Sequence, residues 1–228
     1  MTIQRFDQKL VHRAWQRMRS GRRLDILDPS PLEIEIDDIA LGLSREARWN
    51  GQTRGEHAYS VAQHSILVTE LMASDVPDLP TEALLAGFLH DAPEYVTSDL
   101  VTPFKKHIGS VYRTIEDRVA RAVRVAFNLP AELPQEWAEA IDRADHAAAY
   151  LEAVHLAGFS EQEARTLFDF RRRAPIIDIE PWEARVAKDR FLAVFDDLVA
   201  GGHGCRTIWA GQPLWAVPEL QLVEARSA

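Results

Sequence analysis

Between residues 36 and 200, apolar side chains recur three and four positions apart, and proline or glycine interrupts each run. That spacing matches the turn of an α-helix and not the alternation of a strand, so most of the chain is predicted to be packed amphipathic helices. "EIDDIALGLSREARW" carries Ile36, Ile39, Ala40 and Leu43 on one face, with Asp37 and Asp38 in its first turn, where they complement the helix dipole. "SVAQHSILVTELMA" starts at Ser60 with Gln63 three residues on, a capping-box pattern. Thr81 is expected to cap the next helix, which runs to about Asp91, where Pro93 biases Ala92 away from helical angles. Thr102-Pro103 opens a further helix with proline in its first turn. "SVYRTIEDRVARAVRVAF" and "EWAEAIDRADHAAAYLEAVHLAG" follow, the second striped by Trp137, Ile141, Ala144, Ala148 and Leu151. Ser160 and Glu163 form a second capping box, and Pro181 opens a last amphipathic helix that Gly201-Gly202 ends.

The ends differ. "WQRMRSGRRLDILDP" contains two short extended runs around Ser20-Gly21, a predicted β-hairpin. The tail from His203 holds Trp209, Pro213, Trp215 and Pro218 and is expected to be an extended arm on its own domain or on a neighbouring subunit. The expected organisation is therefore all-α: a hairpin and linker over 1–35, a helical bundle over 36–200, and an arm over 201–228.

With 228 residues, 46% of them hydrophobic and 27% charged, the chain can bury a sizeable core. A formal net charge of −9 argues against a general nucleic-acid binder, which needs excess Lys and Arg. A small anionic substrate stays compatible through a local basic pocket. Cys205 is the only cysteine, so neither a disulfide framework nor a cysteine metal site forms within one chain. The charged N-terminus does not read as a signal peptide, and no apolar run is long enough to cross a membrane. A cytoplasmic protein is expected.

One stretch breaks the pattern. "LLAGFLHDAPEYVTSDLVTPFKKH" begins as a buried helix and turns into a cluster of ionisable groups: His90, Asp91, Glu94 and Asp99, with Lys105 and Lys106 after them. Taken alone, His64 reads as a core histidine in mid-helix, Asp145 as a solvated charge or a cap, Glu94 as a helix-end charge and Asp99 as a turn aspartate. Together, His64, His90, Asp91 and Asp145 put two imidazoles and two carboxylates on or beside the inner faces of three helices. Buried charge is costly unless paired or metal-bound, and this donor set suits a borderline divalent ion. Glu94, four residues after His90, shares its face if the helix continues, and a carboxylate there can act as a general acid or base. Arg45, Arg48 and Arg54 surround a glycine-containing loop, and Lys105 in a helix's first turns opposes the dipole unless an anion lies beside it.

These residues in this order resemble the HD superfamily of metal-dependent phosphohydrolases. The carriers are "YSVAQHSILV", "GFLHDAPEYVTSDLVTPFK" and "DRADHAAAY", within residues 36–155. The chain looks most like the bacterial 5'-deoxynucleotidases and the phage-type deoxyadenosine triphosphate triphosphohydrolases, with Arg48-Trp49 ahead of the first histidine. "VAQH", the hairpin and "LDPSPLEIEIDDIALGLS" look closer to the phage-type members. The resemblance implies a helical HD fold and a divalent ion (Mn, Co, Fe, Ni, Zn or Mg) on His64, His90, Asp91 and Asp145. It implies Glu94 as acid/base, Asp99 at the substrate or its water, and Arg48 and Lys105 at phosphate. It also implies Trp49 beside the sugar and Tyr59 at the nucleotide pocket. A (deoxy)nucleotide substrate and a homo-oligomer are expected on the same ground. Hydrolysis of an alarmone or cyclic nucleotide, or nucleotide binding without catalysis, are the alternatives.

Overall fold

A computed structural model describes residues 14–171 and 179–202. The aromatic tail from His203, with Cys205, and the N-terminal stretch before Ala14 lie outside the described residues, as does the side chain of Lys106. Trp15–Arg17 (β1) and Arg23–Asp25 (β2) pair antiparallel with Gln16 opposite Leu24, the expected hairpin. The α-helices among the described residues are α1 (Ile36–Leu43), α2 (Val61–Asp75), α3 (Thr81–Phe88), α4 (Glu94–Thr97), α5 (Thr102–Ile108), α6 (Ser110–Ala126), α7 (Gln135–His155), α8 (Glu161–Leu167) and α9 (Ala184–Val199).

The bundle is organised around α2. It is apolar or small on nearly every side and almost wholly buried, as a helix covered all round must be. Helices α3 and α7 flank it, and α9 packs across α1, α2 and α3. Its own hydroxyls bond back to its own turns, Ser65 Oγ to Val61 O at 3.0 Å and Thr69 Oγ1 to Ser65 O at 2.8 Å, so neither hydroxyl is stranded. Gly87 on α3 allows the α2–α3–α7 approach: a Cβ there would sit 2.1 Å from Met72 Sδ and 3.5 Å from Ile141. Phe88 meets Phe191 of α9 with ring centroids 4.2 Å apart. By contrast α6 buries only one stripe, Val119, Ala122 and Val123.

Several local expectations change. Helix α1 stops at Leu43, and Arg48–Gly51 forms a short 3-10 turn instead of continuing it. His64 lies in the first turn of α2, not mid-helix. Ser60 caps α2 by accepting from Gln63 N, but the Gln63 side chain does not complete the box. It donates to Glu180 O at 2.6 Å and accepts from Trp182 N at 3.0 Å, because the segment entering α9 offers backbone groups that need partners. Thr81 is inside α3 and Pro80 holds the cap position. Helix α3 ends at Phe88 rather than near Asp91, and α9 begins at Ala184 rather than at Pro181. The Ser160–Glu163 box forms in full.

Candidate active site

His64 is held by a helix that cannot move without opening the core, and its side chain has no exposed surface. His90 and Asp91 come from the tight turn that follows α3, fixed by His90 N to Gly87 O at 3.3 Å and Glu94 N to Asp91 O at 3.0 Å. Asp145 projects from the middle of α7. The three elements bring the donors together: one ligand atom each from His64, His90 and Asp145 lie within 4.8 Å of one another. Asp91 Oδ2 is 3.3 Å from His64 Nε2 and 3.2 Å from His90 Nε2. Asp145 Oδ1 is 3.2 Å from His64 Nε2 and 4.0 Å from His90 Nε2. All four residues singled out as ligands in the sequence thus converge.

The imidazole tautomers follow from their outer nitrogens. His90 Nδ1 lies 2.7 Å from Gly87 O, an acceptor only, so it carries the proton and donates. His64 Nδ1 lies 2.6 Å from Glu152 Oε1 and donates to that carboxylate. In the neutral imidazoles both Nε2 atoms then present lone pairs inward, and both are buried without a hydrogen-bond partner. Two orphaned nitrogens facing two carboxylates fit a divalent cation. Burial and Arg48 lower the His64 pKa, yet Glu152, Asp145 and Asp91 outweigh them and raise it well above the usual imidazole range. The carboxylates that favour a proton on Nε2 favour a divalent ion there for the same reason. Burial alone would raise Asp145, but its hydrogen bond and charge contacts with His64, and then the charge of His90, bring it down to about 2. The centre is most open at Asp145, whose side chain is 39% exposed against 0% for His64.

Arg48 and Trp49 reach the centre because their loop is tied beside the start of α2. Ala47 and Ser60 form an antiparallel bridge, and Val61 N donates to Glu46 O at 3.1 Å. Arg54 N donates to Leu156 O at 2.9 Å, fastening the loop's far side near the end of α7. Trp49 and Asn50 sit in the left-handed region (φ 57° and 51°), a conformation bulky residues avoid unless surroundings impose it. The Trp49 ring lies between Phe159 and Phe168, with centroids at 5.9 Å and 6.2 Å. Arg48 Nη1 lies 3.5 Å from Asp91 and 3.8 Å from Asp99. Burial lowers the Arg48 pKa, but Glu152, Asp99, Asp91 and Asp145 more than offset that and raise it above the usual arginine range.

Glu94 opens α4 instead of extending the helix of His90, so the shared helical face expected for those two is absent. It is buried all the same. Its Oε1 accepts from Lys105 Nζ at 2.7 Å, and its Oε2 is buried with no hydrogen-bond partner. Desolvation first, then the charges of Asp91 and Asp99, raise its pKa well above the carboxylate range, against the pull of Lys105. A divalent ion at the four ligands would act in the same direction as Lys105. The misplaced charge of Lys105 at a helix start is answered within the chain, by Glu94 and by Glu116 at 3.3 Å. Asp99 follows Ser98 at φ 66°, and its backbone N–H donates to Glu46 Oε1 at 3.1 Å. Tyr59 has no exposed surface: its carbonyl accepts from Arg48 N at 2.9 Å, and its hydroxyl is buried without a partner. Arg54 pairs outward with Glu180 at 3.3 Å.

Sequence reasoning passed over Glu152. It is completely buried, accepts from His64 through one oxygen, and through the other accepts from Arg48 Nε and Trp49 Nε1, both at 2.9 Å. Burial would raise its pKa, but Arg48 and His64 hold it below the usual range. The available signal was its place seven residues after Asp145 and four after Ala148, an acid inside the apolar stripe of α7.

The family model described as 5'-deoxynucleotidase YfbR-like matches residues 43–159, which contain every residue of the cluster. An uncharacterised protein of Rhodobacter capsulatus is 56% identical over 158 residues, covering 69% of this chain and 81% of that protein. The uncharacterised protein YfdR of Escherichia coli is 32% identical over 111 residues, 48% of this chain and 57% of its own length. The 5'-deoxynucleotidase yfbR of Photorhabdus temperata is 28% identical over 141 residues, 60% of this chain and 57% of its own. Family match, helical architecture and the converging His and Asp residues lead to one statement: this chain belongs to the YfbR-like 5'-deoxynucleotidase family.

Proposed function

We propose that the protein is a divalent-metal-dependent hydrolase that releases phosphate or polyphosphate from (deoxy)nucleotides. The observation that carries this reading is the pair of buried, unpartnered Nε2 atoms of His64 and His90 facing Asp91 and Asp145. A divalent ion held by these four residues supplies Lewis-acid polarisation of a phosphoryl oxygen and activation of water. The chain's own residues do the rest. Arg48, held at the rim by Glu152, offsets charge on the transferring phosphoryl group. Glu94 holds or releases a proton at its carboxyl, next to Lys105, which carries positive charge toward phosphate. Asp99 orients the substrate or its water from beside Arg48. Trp49 packs against the sugar on the wall it forms with Phe159 and Phe168. Tyr59 acts from behind this wall through its carbonyl bond to Arg48. A homo-oligomer in the cytoplasm, with the hairpin, the bundle and the C-terminal arm as separate parts, belongs to the same proposal.

The test is a panel of deoxynucleoside and ribonucleoside mono- and triphosphates with Mn²⁺, Co²⁺, Mg²⁺ or Zn²⁺, products identified by mass. Phosphate as first product marks a 5'-nucleotidase and tripolyphosphate a triphosphohydrolase. His90→Ala and Asp91→Ala should lose both bound metal and turnover; full activity in metal-free variants would overturn the reading.

A further inference from the structure

Glu152 stands apart because one carboxylate serves two parts of the site. Its Oε1 holds the Nδ1–H of His64, and its Oε2 holds both Arg48 Nε and the indole N–H of Trp49. A group with no exposed surface and three donors around it has no water to substitute for any of them. The partners differ in kind: His64 faces the cation position from a rigid core helix, whereas Arg48 and Trp49 belong to a turn whose left-handed backbone is imposed by its contacts.

We infer that Glu152 is a positioning residue that ties the Arg48-Trp49 turn to the metal ligand His64, so that metal affinity and substrate engagement both depend on it. The inference rests on the hydrolase reading for the word substrate, but its metal half does not. With the carboxylate in place, His64 is fixed with its proton on Nδ1 and its lone pair toward the cation, while the guanidinium and the indole are held at the same wall. Glutamine at this position keeps the volume but offers one acceptor oxygen and an amide N–H₂ that no donor can use. The neutral amide weakens both sets of bonds, because His64 and the Arg48-Trp49 pair lose the same charged acceptor whichever way the amide turns.

The experiment uses the full chain. Glu152→Gln should bind Mn²⁺ about 10–100-fold more weakly by titration calorimetry, the range for losing the partner of a ligating histidine. Asp142→Asn, an exposed acid on the same helix, is the control for a bulk charge effect and should bind Mn²⁺ like the wild type. At saturating Mn²⁺, Glu152→Gln should raise KM for the nucleotide that wild type hydrolyses, because Arg48 and Trp49 are released, which a loss of folding stability alone does not do. Mn²⁺ affinity within twofold of wild type in folded Glu152→Gln overturns the inference. Should that variant fail to fold, ¹⁵N-histidine spectra of the wild type loaded with Zn²⁺ decide: His64 must carry its proton on Nδ1, and a proton on Nε2 overturns the inference. Calorimetry and spectra are read without turnover. A wild type that hydrolyses no nucleotide would therefore sink the functional reading while leaving the metal half of this one standing.

Discussion

Glu94 shows how one residue's chemistry is set by its neighbours. Desolvation and two nearby aspartates favour its protonated form, Lys105 at 2.7 Å favours the ionised form, and its second oxygen is left with no partner. A carboxyl balanced this way holds its proton more readily than an ordinary one, as the proposed acid/base role requires. Glu94→Gln keeps the volume and removes the exchangeable proton. We expect turnover to fall by about 10²–10⁴-fold with metal content unchanged, measured by kcat and by elemental analysis of the purified protein. Metal loss in this variant would make Glu94 a ligand instead. None of this balance was visible from the spacing of Glu94 and His90, which suggested a shared helical face that the turn over 89–93 removes.

At the scale of elements, the site depends on close approaches between helices. Gly42 on α1 faces Tyr95 on α4: an added Cβ would lie 2.7 Å from Tyr95 Cβ and 3.1 Å from its backbone. Rotating a side chain cannot relieve that clash, so Gly42→Ala must push α4, and Glu94 with it. The expected cost is about 1–3 kcal/mol, read as a lower denaturation midpoint, together with a loss of activity. A midpoint equal to wild type would show that α1 and α4 are not in this contact. At the other wall, α8 begins with the Ser160–Glu163 box. Hydrogen bonds from the Ser160 hydroxyl and backbone N–H lower the Glu163 pKa below its ordinary value. A folded value below the unfolded one means that the cap is fully present above the ordinary carboxylate range. It is lost as pH falls through the lowered value. Amide exchange at Ser160 should quicken over that acidic window in wild type, and in Glu163→Gln it should be insensitive to pH there once intrinsic exchange is corrected for.

For the whole molecule, the four proposed ligands come from α2, the turn after α3, and α7, so an ion held by them would clamp the centre of the bundle. A ligand that binds only the folded state stabilises it by mass action, by about 2.7 kcal/mol at a hundred times its dissociation constant. For a domain of this size that corresponds to roughly 5–10 °C in melting temperature. Mn²⁺ added to chelator-treated protein should produce this rise by calorimetry, and His64→Ala should abolish it. An unchanged melting temperature would mean that no ion bridges these helices. Among the described residues no helix is long and apolar enough to cross a membrane.

By itself the sequence determined the helical class, the hairpin and most breaks between elements, and it singled out His64, His90, Asp91 and Asp145 as candidate donors. Those features are local: apolar periodicity, proline and glycine, and the incompatibility of unpaired ionisable groups with buried helix faces act within a few residues of themselves. Tertiary structure alone decided that Lys105 lies between Glu94 and Glu116, and that Tyr59 is sealed beneath the Arg48 turn. It alone made Glu152 the link between Arg48, Trp49 and His64. Each of those depends on how far one helix stands from another, and side-chain spacing along a helix carries no measure of that distance. An acid in an apolar stripe declares only that it needs partners; the packing of α2, α7 and the Arg48 turn decides which ones it finds.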